Sequence, residues 1–163
     1  MTKSTKTIHI LIKLLSLVAI FVTAYLLYMH FKPELSDYCS FGDNFDCDVV
    51  NKSPWSVIDL GFMRIPVALL GLLTYTIFFI ASWLLKSGKD LSKIFFKWTT
   101  NKLLVIKMTV LSVIGVAFSL YLTYIEAFVL QTYCIFCVTQ QVIIFIIMIL
   151  YFVLLGRYLK EKE

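Results

Sequence analysis

The chain has 163 residues, of which 60% are hydrophobic and only 15% are charged. Soluble domains carry about a quarter charged residues, so this composition excludes an ordinary water-soluble protein. The formal net charge is +5, but the basic residues are segregated along the chain. The excess of basic residues therefore predicts how the chain is oriented in a membrane, and it is not evidence for nucleic-acid binding.

Four apolar stretches predict membrane-spanning helices, which in chain order cover about residues 8–30, 60–85, 103–126 and 133–157. Each is close to the roughly 20 residues with which an α-helix crosses the hydrocarbon core of a bilayer. We therefore predict an all-α integral membrane protein with four transmembrane helices. A cleaved signal peptide is the alternative for the first stretch, but no small-x-small cleavage motif follows Met29.

The distribution of basic residues predicts the orientation of these helices. The first loop and the start of helix two contain only Lys32, Lys52 and Arg64. The other 12 of the 15 basic residues lie in the two tails, the second loop and the adjoining helix ends. Basic loops stay in the cytoplasm. We therefore expect both termini in the cytoplasm and the first and third loops outside it.

All four cysteines are predicted on the extracytoplasmic side. Cys39 and Cys47 lie in the first loop, and Cys134 and Cys137 lie where the fourth helix begins. Residues three apart on a helix are neighbours at a separation that a disulfide can bridge. The unpaired N–H groups at a helix start favour a thiolate, and we expect them to lower the pKa of Cys134 most. The spacing predicts a redox-active CxxC pair.

Other interpretations of the cysteines remain open from the residues alone. Buried cysteines can be inert small hydrophobes, and a disulfide between Cys39 and Cys47 can simply hold its loop together outside the cytoplasm. A four-cysteine zinc site is a further alternative, but seven residues separate Cys39 from Cys47, so we predict no metal site. The corresponding alternative function is a non-enzymatic four-helix membrane protein with structural disulfides.

The polar residues near the CxxC pair suggest an electron acceptor but do not identify it. Thr139, Gln140 and Gln141 lie one turn inside helix four, where quinone contact and interhelical hydrogen bonding are both open. Glu126 has two interpretations, an acid near the site or the outer end of helix three in contact with water, and we adopt the second. The chain has no GxGxxG loop and no CxxCH motif, which argues against a nucleotide or a covalent haem and favours a membrane quinone.

An ordered set of motifs resembles the vitamin K epoxide reductase family: Cys39-x-x-Gly42, Cys47, Ser53-x-Trp55, Tyr121-Leu122, Phe128-Val129-Leu130 and Cys134-x-x-Cys137. The resemblance implies a single domain over residues 1–163, a four-helix bundle around a quinone of the ubiquinone or menaquinone type, and a short capping helix between helices 1 and 2. It also implies that Cys39 exchanges with an external partner, that Cys47 relays to Cys134, and that Cys137 lies beside the quinone.

The same resemblance implies further quinone contacts at Ser53, Trp55 and Gln141, although Ser53 can alternatively serve only as the cap of the short helix. Animal members carry a tyrosine at the position of Gln141, which favours a plain quinone over an epoxide as substrate. The segment from Ile65 to Gly71 resembles the bacterial members, many of which carry a fused thioredoxin-like domain. We expect no such domain here and a separate redox partner instead.

The function implied by the resemblance is quinone-linked oxidation of a separate thioredoxin-like, DsbA-like protein, in support of disulfide bond formation. We expect a monomer in contact with lipid in a bacterial cytoplasmic (inner) membrane. A true vitamin K epoxide or quinone reductase is the alternative within the enzymes. A DsbB-type oxidase is less compatible, because it places its CxxC pair in the first outer loop, whereas this chain has the reverse order.

Overall fold

The computed structural model describes residues 3–32, 45–59, 61, 63–87 and 101–160. Four long helices make up most of this part of the chain: α1 (Lys3–Phe31), α3 (Val67–Ser87), α4 (Asn101–Ile125) and α5 (Ile135–Lys160). All four are long and apolar enough to cross a membrane. The predicted all-α membrane fold with four transmembrane helices is confirmed.

A compact cap segment lies between α1 and α3. It contains the short helix α2 (Cys47–Asn51), a 3-10 turn (Pro54–Ser56) and an antiparallel hairpin of β1 (Val57–Asp59) and β2 (Arg64–Pro66). The predicted short helix between helices 1 and 2 is therefore present. The second transmembrane helix begins at Val67 and not near residue 60, because the hairpin occupies the preceding residues.

Packing within the bundle is uneven. α1 packs along α3 and α4 packs along α5, and α5 also contacts α1, whereas α3 and α4 touch each other much less. The main core contains Phe78, Ile147 and Tyr151, whose side chains are fully buried. Large apolar side chains such as Phe21 and Phe152 are exposed on the outside of the bundle, as expected where helices face lipid.

Two glycines let neighbouring helices approach closely. A Cβ atom at Gly71 on α3 would lie 3.1 Å from Cγ2 of Thr23 on α1, and one at Gly115 on α4 would lie 3.2 Å from Cγ1 of Ile144 on α5. Small residues at such crossings are typical of membrane helices, whose association depends on close van der Waals packing. The α1–α3 pair and the α4–α5 pair are therefore closely packed, whereas the contact between α3 and α4 is looser.

The helix α4 ends in a π-helical turn, Glu126–Leu130. Gln131 closes this turn in the left-handed conformation, with φ 52°, and donates its N–H to the carbonyl of Glu126. Thr132 N–H donates to the same carbonyl at 3.1 Å. A π-turn adds a residue to one helical turn and so changes the direction in which the neighbouring side chains project. The chain passes directly from this turn to the CxxC pair.

Candidate active site

A short backbone contact aligns the cap segment with the start of α5. Phe45 and Tyr133 form a parallel β-bridge, and Asp46 N–H donates to the carbonyl of Tyr133 at 3.1 Å. In sequence, Cys134 directly follows Tyr133, and Cys47 lies two residues after Phe45. The bridge therefore sets the register that brings the first-loop cysteine to the first cysteine of the CxxC pair.

Cys47 and Cys134 belong to one buried apolar cluster. Cys47 is 6% exposed and Cys134 is fully buried, and both pack with Leu26 and Val50, while Cys137 packs against the same cluster. Cys47 is disulfide-bonded, whereas Cys134 and Cys137 are free thiols. Cys39, the fourth predicted redox cysteine, lies outside the described residues. The arrangement places one sulfur of each predicted pair in the same water-excluded site.

The helix α2 holds Cys47 through two anchors. Asp46 caps the helix, because its carboxylate accepts the N–H groups of Asp48 at 2.9 Å and Val49 at 3.1 Å, as N-cap residues do. At the other end, the Asn51 side-chain amide donates to the carbonyl of Leu26 on α1 at 2.8 Å. The sequence signal for this helix is therefore the Asp at its start, since its five residues are too few to show a hydrophobic period.

The pKa of the Cys134 thiol is lowered from its ordinary value. The largest cause is a hydrogen bond from the Cys137 thiol, and the backbone N–H groups of Cys137 and Phe136 also lower the pKa, while burial and the carboxyl of Glu126 raise it. The direction agrees with the sequence-based expectation, although the neighbouring thiol contributes more than the helix start. Cys134 is therefore the better thiolate of the CxxC pair.

A pH titration of Cys134 alkylation tests this assignment. In reduced protein with Cys39 and Cys47 replaced by serine, we expect iodoacetamide to modify Cys134 with a midpoint below the roughly 8.5 of a free thiol. A lowered pKa stabilises the folded, reduced protein above the unfolded-state pKa, and that contribution is lost as pH falls through the folded-state pKa. Mass spectrometry separates the modification of Cys134 from that of Cys137.

The matched variants are Cys137→Ala and Cys137→Ser. Alanine removes the hydrogen-bond donor and should move the Cys134 midpoint to higher pH, whereas serine keeps a donor and should keep the midpoint low. Equal midpoints in both variants would show that the Cys137 side chain does not stabilise the thiolate.

The position of Glu126 differs from the one predicted from the sequence. The carboxyl was expected to face water at the end of helix three, but it is only 3% exposed, and its Oε2 accepts the N–H of Cys134 at 3.2 Å. The prediction was wrong because Glu126 opens the π-helical turn, whose altered spacing directs its side chain inward.

A cavity of about 500 Å³ lies inside the half of the bundle that carries the cap segment, and Cys137 lines it. All four long helices and the cap segment line it, mostly with apolar side chains. Three of the predicted site residues, Ser53, Trp55 and Cys137, are on its wall. The size is that of small-molecule sites, which are mostly apolar with a few placed polar groups.

Ser53 and Trp55 reach the cavity from the cap segment. Ser53 is 8% exposed, and its hydroxyl donates to the carbonyl of Val50 at 2.8 Å. It stands before the 3-10 turn, but its side chain makes no capping hydrogen bond there. Trp55 is 46% exposed and also lines the cavity, from the end of the bundle that carries the cap segment. Their placement leaves the Ser53 oxygen available to a ligand in the cavity.

The two glutamines of α5 have different roles. Gln141 accepts a hydrogen bond from the Thr123 hydroxyl at 2.8 Å; Thr123 lines the cavity, and Gln141 is not among its lining residues. Gln140 does line the cavity and donates its amide Nε2 to the carbonyl of Ala19 at 3.1 Å. Its amide oxygen is buried with no hydrogen-bond partner among the described residues, so it is a ready acceptor for a ligand hydroxyl.

These features fit a quinone better than a metal ion. Within the described part of the chain, no three His, Cys, Asp or Glu residues come together as a metal site. The cavity instead combines an apolar wall, a cysteine thiol at Cys137 and the unpaired amide oxygen of Gln140. An apolar ring with two oxygens can bury its ring against the wall and bond its oxygens to the polar groups.

Comparison with known families supports the same interpretation. The model of the vitamin K epoxide reductase family matches residues 10–152, which include all four cysteines, the cap segment and most of the four long helices. No curated protein matches the chain.

Proposed function

Because this chain belongs to the vitamin K epoxide reductase family, we propose that it reoxidises an extracytoplasmic thioredoxin-like protein and passes the electrons to a membrane quinone. The family consists of membrane oxidoreductases that act on disulfides and quinones and generally work with thioredoxin-like partners. One observation supports the proposal most strongly. Cys47 and Cys134 share one buried cluster, and Cys137 lies between that cluster and the cavity.

The proposed relay begins at the first loop. A thiolate of the reduced partner attacks Cys39, the Cys39–Cys47 disulfide breaks, and Cys47 leaves as a thiolate. Cys47 then attacks Cys134, so that a Cys47–Cys134 bond forms and the sulfur of Cys137 leaves with the electron pair of the broken bond. The partner's second thiolate then attacks the partner–Cys39 bond, so that the partner's own disulfide forms and Cys39 leaves as a thiolate. Cys39 attacks Cys47, which restores the Cys39–Cys47 bond, breaks the Cys47–Cys134 bond and leaves both electrons on the two sulfurs of the CxxC pair.

Several residues of the cavity wall are proposed to hold the electron acceptor beside Cys137. A bound quinone supplies a two-electron, two-proton acceptor. The Ser53 hydroxyl can turn from the Val50 carbonyl to donate to a ligand oxygen, and the Gln140 amide oxygen can accept from a ligand hydroxyl. Trp55 shields the cavity from water. Gln141 remains a predicted quinone contact, and its hydrogen bond with Thr123 holds that residue in the cavity wall.

The proposed setting follows from the charge pattern. We place the cap segment and all four cysteines outside the cytoplasm, in a bacterial cytoplasmic membrane, because most basic residues lie in the tails and second loop. Disulfides persist in the oxidising environment outside the cytoplasm. The protein is proposed to act as a monomer, with a separate DsbA-like protein as its redox partner and a ubiquinone or menaquinone as acceptor.

An anaerobic assay tests the proposal. Purified protein is mixed with a reduced DsbA-like protein and a short-chain ubiquinone or menaquinone, and the quinone absorbance is followed. We expect partner oxidation and quinone reduction in equal amounts, and no comparable turnover of vitamin K epoxide. A protein that neither oxidises the partner nor reduces quinone, while both disulfides stay intact, would instead support the non-enzymatic alternative.

A further inference from the structure

The carboxyl of Glu126 occupies the centre of the redox site. It accepts the N–H of Cys134 at 3.2 Å, and both Glu126 and Cys137 line the cavity. Its side chain is 3% exposed. The proposed relay assigns it no task, although it shares the cavity wall with the sulfur-bearing residue that faces the quinone.

The charge balance around this carboxyl is unusual. Among the described residues that line the cavity there is no lysine, arginine or histidine, and the other titratable groups are the Cys137 thiol and the Tyr75 hydroxyl. Tyr75 is occupied as a donor to the Gln140 carbonyl at 3.1 Å. In the cap segment, Asp48 pairs with Lys52 at 3.8 Å, and neither lines the cavity.

An ion pair therefore does not offset the charge of Glu126 on the cavity side. Burying an unpaired carboxylate is costly, and so is burying an unpaired thiolate. A carboxyl and a thiol on the same apolar cavity wall avoid both costs if they share one proton. When the bond between Cys134 and Cys137 opens, the sulfur of Cys137 becomes negative inside an apolar site, and the carboxyl on the described cavity wall that can supply a proton is that of Glu126.

We propose that Glu126 is the general acid–base residue for Cys137. Its carboxyl holds a proton while Cys137 is in the disulfide, and transfers that proton to Sγ as the bond to Cys134 breaks. It takes the proton back when Cys137 gives up its electrons. In this transfer an O–H bond breaks and an S–H bond forms, and no electrons change hands. The electrons come from the partner dithiol and leave to the quinone, so the inference rests on the proposed function for its direction.

The backbone explains why Glu126 suits this task. The N–H of Cys134 fixes one carboxyl oxygen, and the π-helical turn that begins at Glu126 fixes the position of its Cα. The carboxyl is therefore hydrogen-bonded to Cys134, which is the residue that Cys47 attacks in the proposed relay. The attacked residue is thus hydrogen-bonded to the proposed proton carrier through its backbone, and the leaving residue shares the cavity wall with it, a placement that suits general acid–base catalysis.

A first experiment needs no quinone. Infrared difference spectra are recorded while a soluble phosphine reduces the Cys134–Cys137 disulfide in quinone-free protein, for the wild type, Glu126→Gln and Glu126→Asp. We expect reduction to remove a protonated-carboxyl band in the wild type and in Glu126→Asp, and no such change in Glu126→Gln. Glutamine keeps an oxygen that can accept the Cys134 N–H, so the fold is retained. If Glu126→Gln fails to fold, Glu126→Asp should still show the band, displaced from its wild-type position.

A second experiment separates the steps in time. After rapid mixing with a reduced DsbA-like protein, opening of the Cys134–Cys137 disulfide should be about 10²-fold slower in Glu126→Gln, and its pH dependence should change. The first exchange, which uses only Cys39 and Cys47, should keep its wild-type rate. A purely structural role would slow both exchanges together and leave the pH profile unchanged, which would overturn the assignment.

The outcomes also separate this inference from the proposed function. A carboxyl band that ignores reduction, or persists in Glu126→Gln, overturns the role of Glu126 even if the wild type reduces quinone. A wild type that shows the band but reduces no quinone contradicts the proposed acceptor and leaves the coupling between Glu126 and Cys137 supported.

Discussion

We expect the Cys137→Ala variant to reduce no quinone, although it folds and still carries out the first exchange with its partner. Cys137 is the only cysteine among the described residues that line the cavity. Cys134 is fully buried in the cluster with Cys47 and does not line the cavity. Without Cys137 the CxxC pair cannot form its disulfide, so the two electrons have no route to the acceptor.

Quinone absorbance under anaerobic conditions, with a reduced DsbA-like protein as donor, measures this effect. Ser112→Ala is a matched control, because Ser112 is fully buried in α4, donates to the Thr109 carbonyl at 2.7 Å and does not line the cavity. The control should reduce quinone at nearly the wild-type rate. Quinone reduction by Cys137→Ala at the rate of the control would exclude the proposed route.

The largest effect on stability is expected for Phe78→Ala. The ring of Phe78 is fully buried in the main core, with its centroid 5.5 Å from that of Tyr151 and 6.5 Å from that of Tyr75. Removing a buried aromatic ring leaves a cavity and costs about 3 to 5 kcal/mol. Packing is the main force between membrane helices, so the loss should loosen the contact between α3 and α5.

Thermal unfolding of the two purified proteins in the same detergent measures the difference. The matched control is Phe152→Ala, because Phe152 follows Tyr151 on α5 but is 50% exposed on the lipid-facing side. We expect a large loss of thermal stability for Phe78→Ala and little change for Phe152→Ala. Equal losses in the two variants would mean that the buried core does not determine the stability of the bundle.

The membrane fold was predictable because its signal is long. A helix that crosses a bilayer needs about 20 apolar residues, and each of the four stretches is close to that length. The predicted start of the second transmembrane helix, near residue 60, was less accurate. The two strands that precede this helix have three residues each and are too short to show an alternating pattern. The hairpin turns near Gly61, whose φ of 80° suits glycine, and Pro66 ends its second strand just before α3.

The polar residues of the site were harder to predict than its cysteines. Gln140 and Gln141 are adjacent, so their side chains point about 100° apart around α5. The choice between them depends on the rotation of the helix, which hydrophobic residues on nearly all of its faces do not reveal. Only the packed bundle shows that Gln140 lines the cavity and that Gln141 bonds to Thr123.

Glu126 was considered as an acid near the site but assigned to the end of helix three, for a different reason. A carboxyl near the end of a transmembrane helix usually meets water, and only the π-helical turn directs this one toward Cys134. One signal was available in the sequence, because Glu126 is the only acidic residue between Asp90 and Glu161 and lies eight residues before Cys134. An isolated acid at that distance from a CxxC pair is a candidate for a redox-site carboxyl.

The most direct test of the central claim is the identification of a Cys47–Cys134 disulfide in the Cys39→Ala variant. With Cys39 absent, the free thiolate of Cys47 should attack Cys134 in the oxidised CxxC pair and remain bonded to it, leaving Cys137 free. Peptide mass spectrometry after alkylation of free thiols should show Cys47 linked to Cys134 and Cys137 alkylated. If Cys47 is alkylated while Cys134 stays bonded to Cys137, the two pairs do not exchange and the relay is refuted.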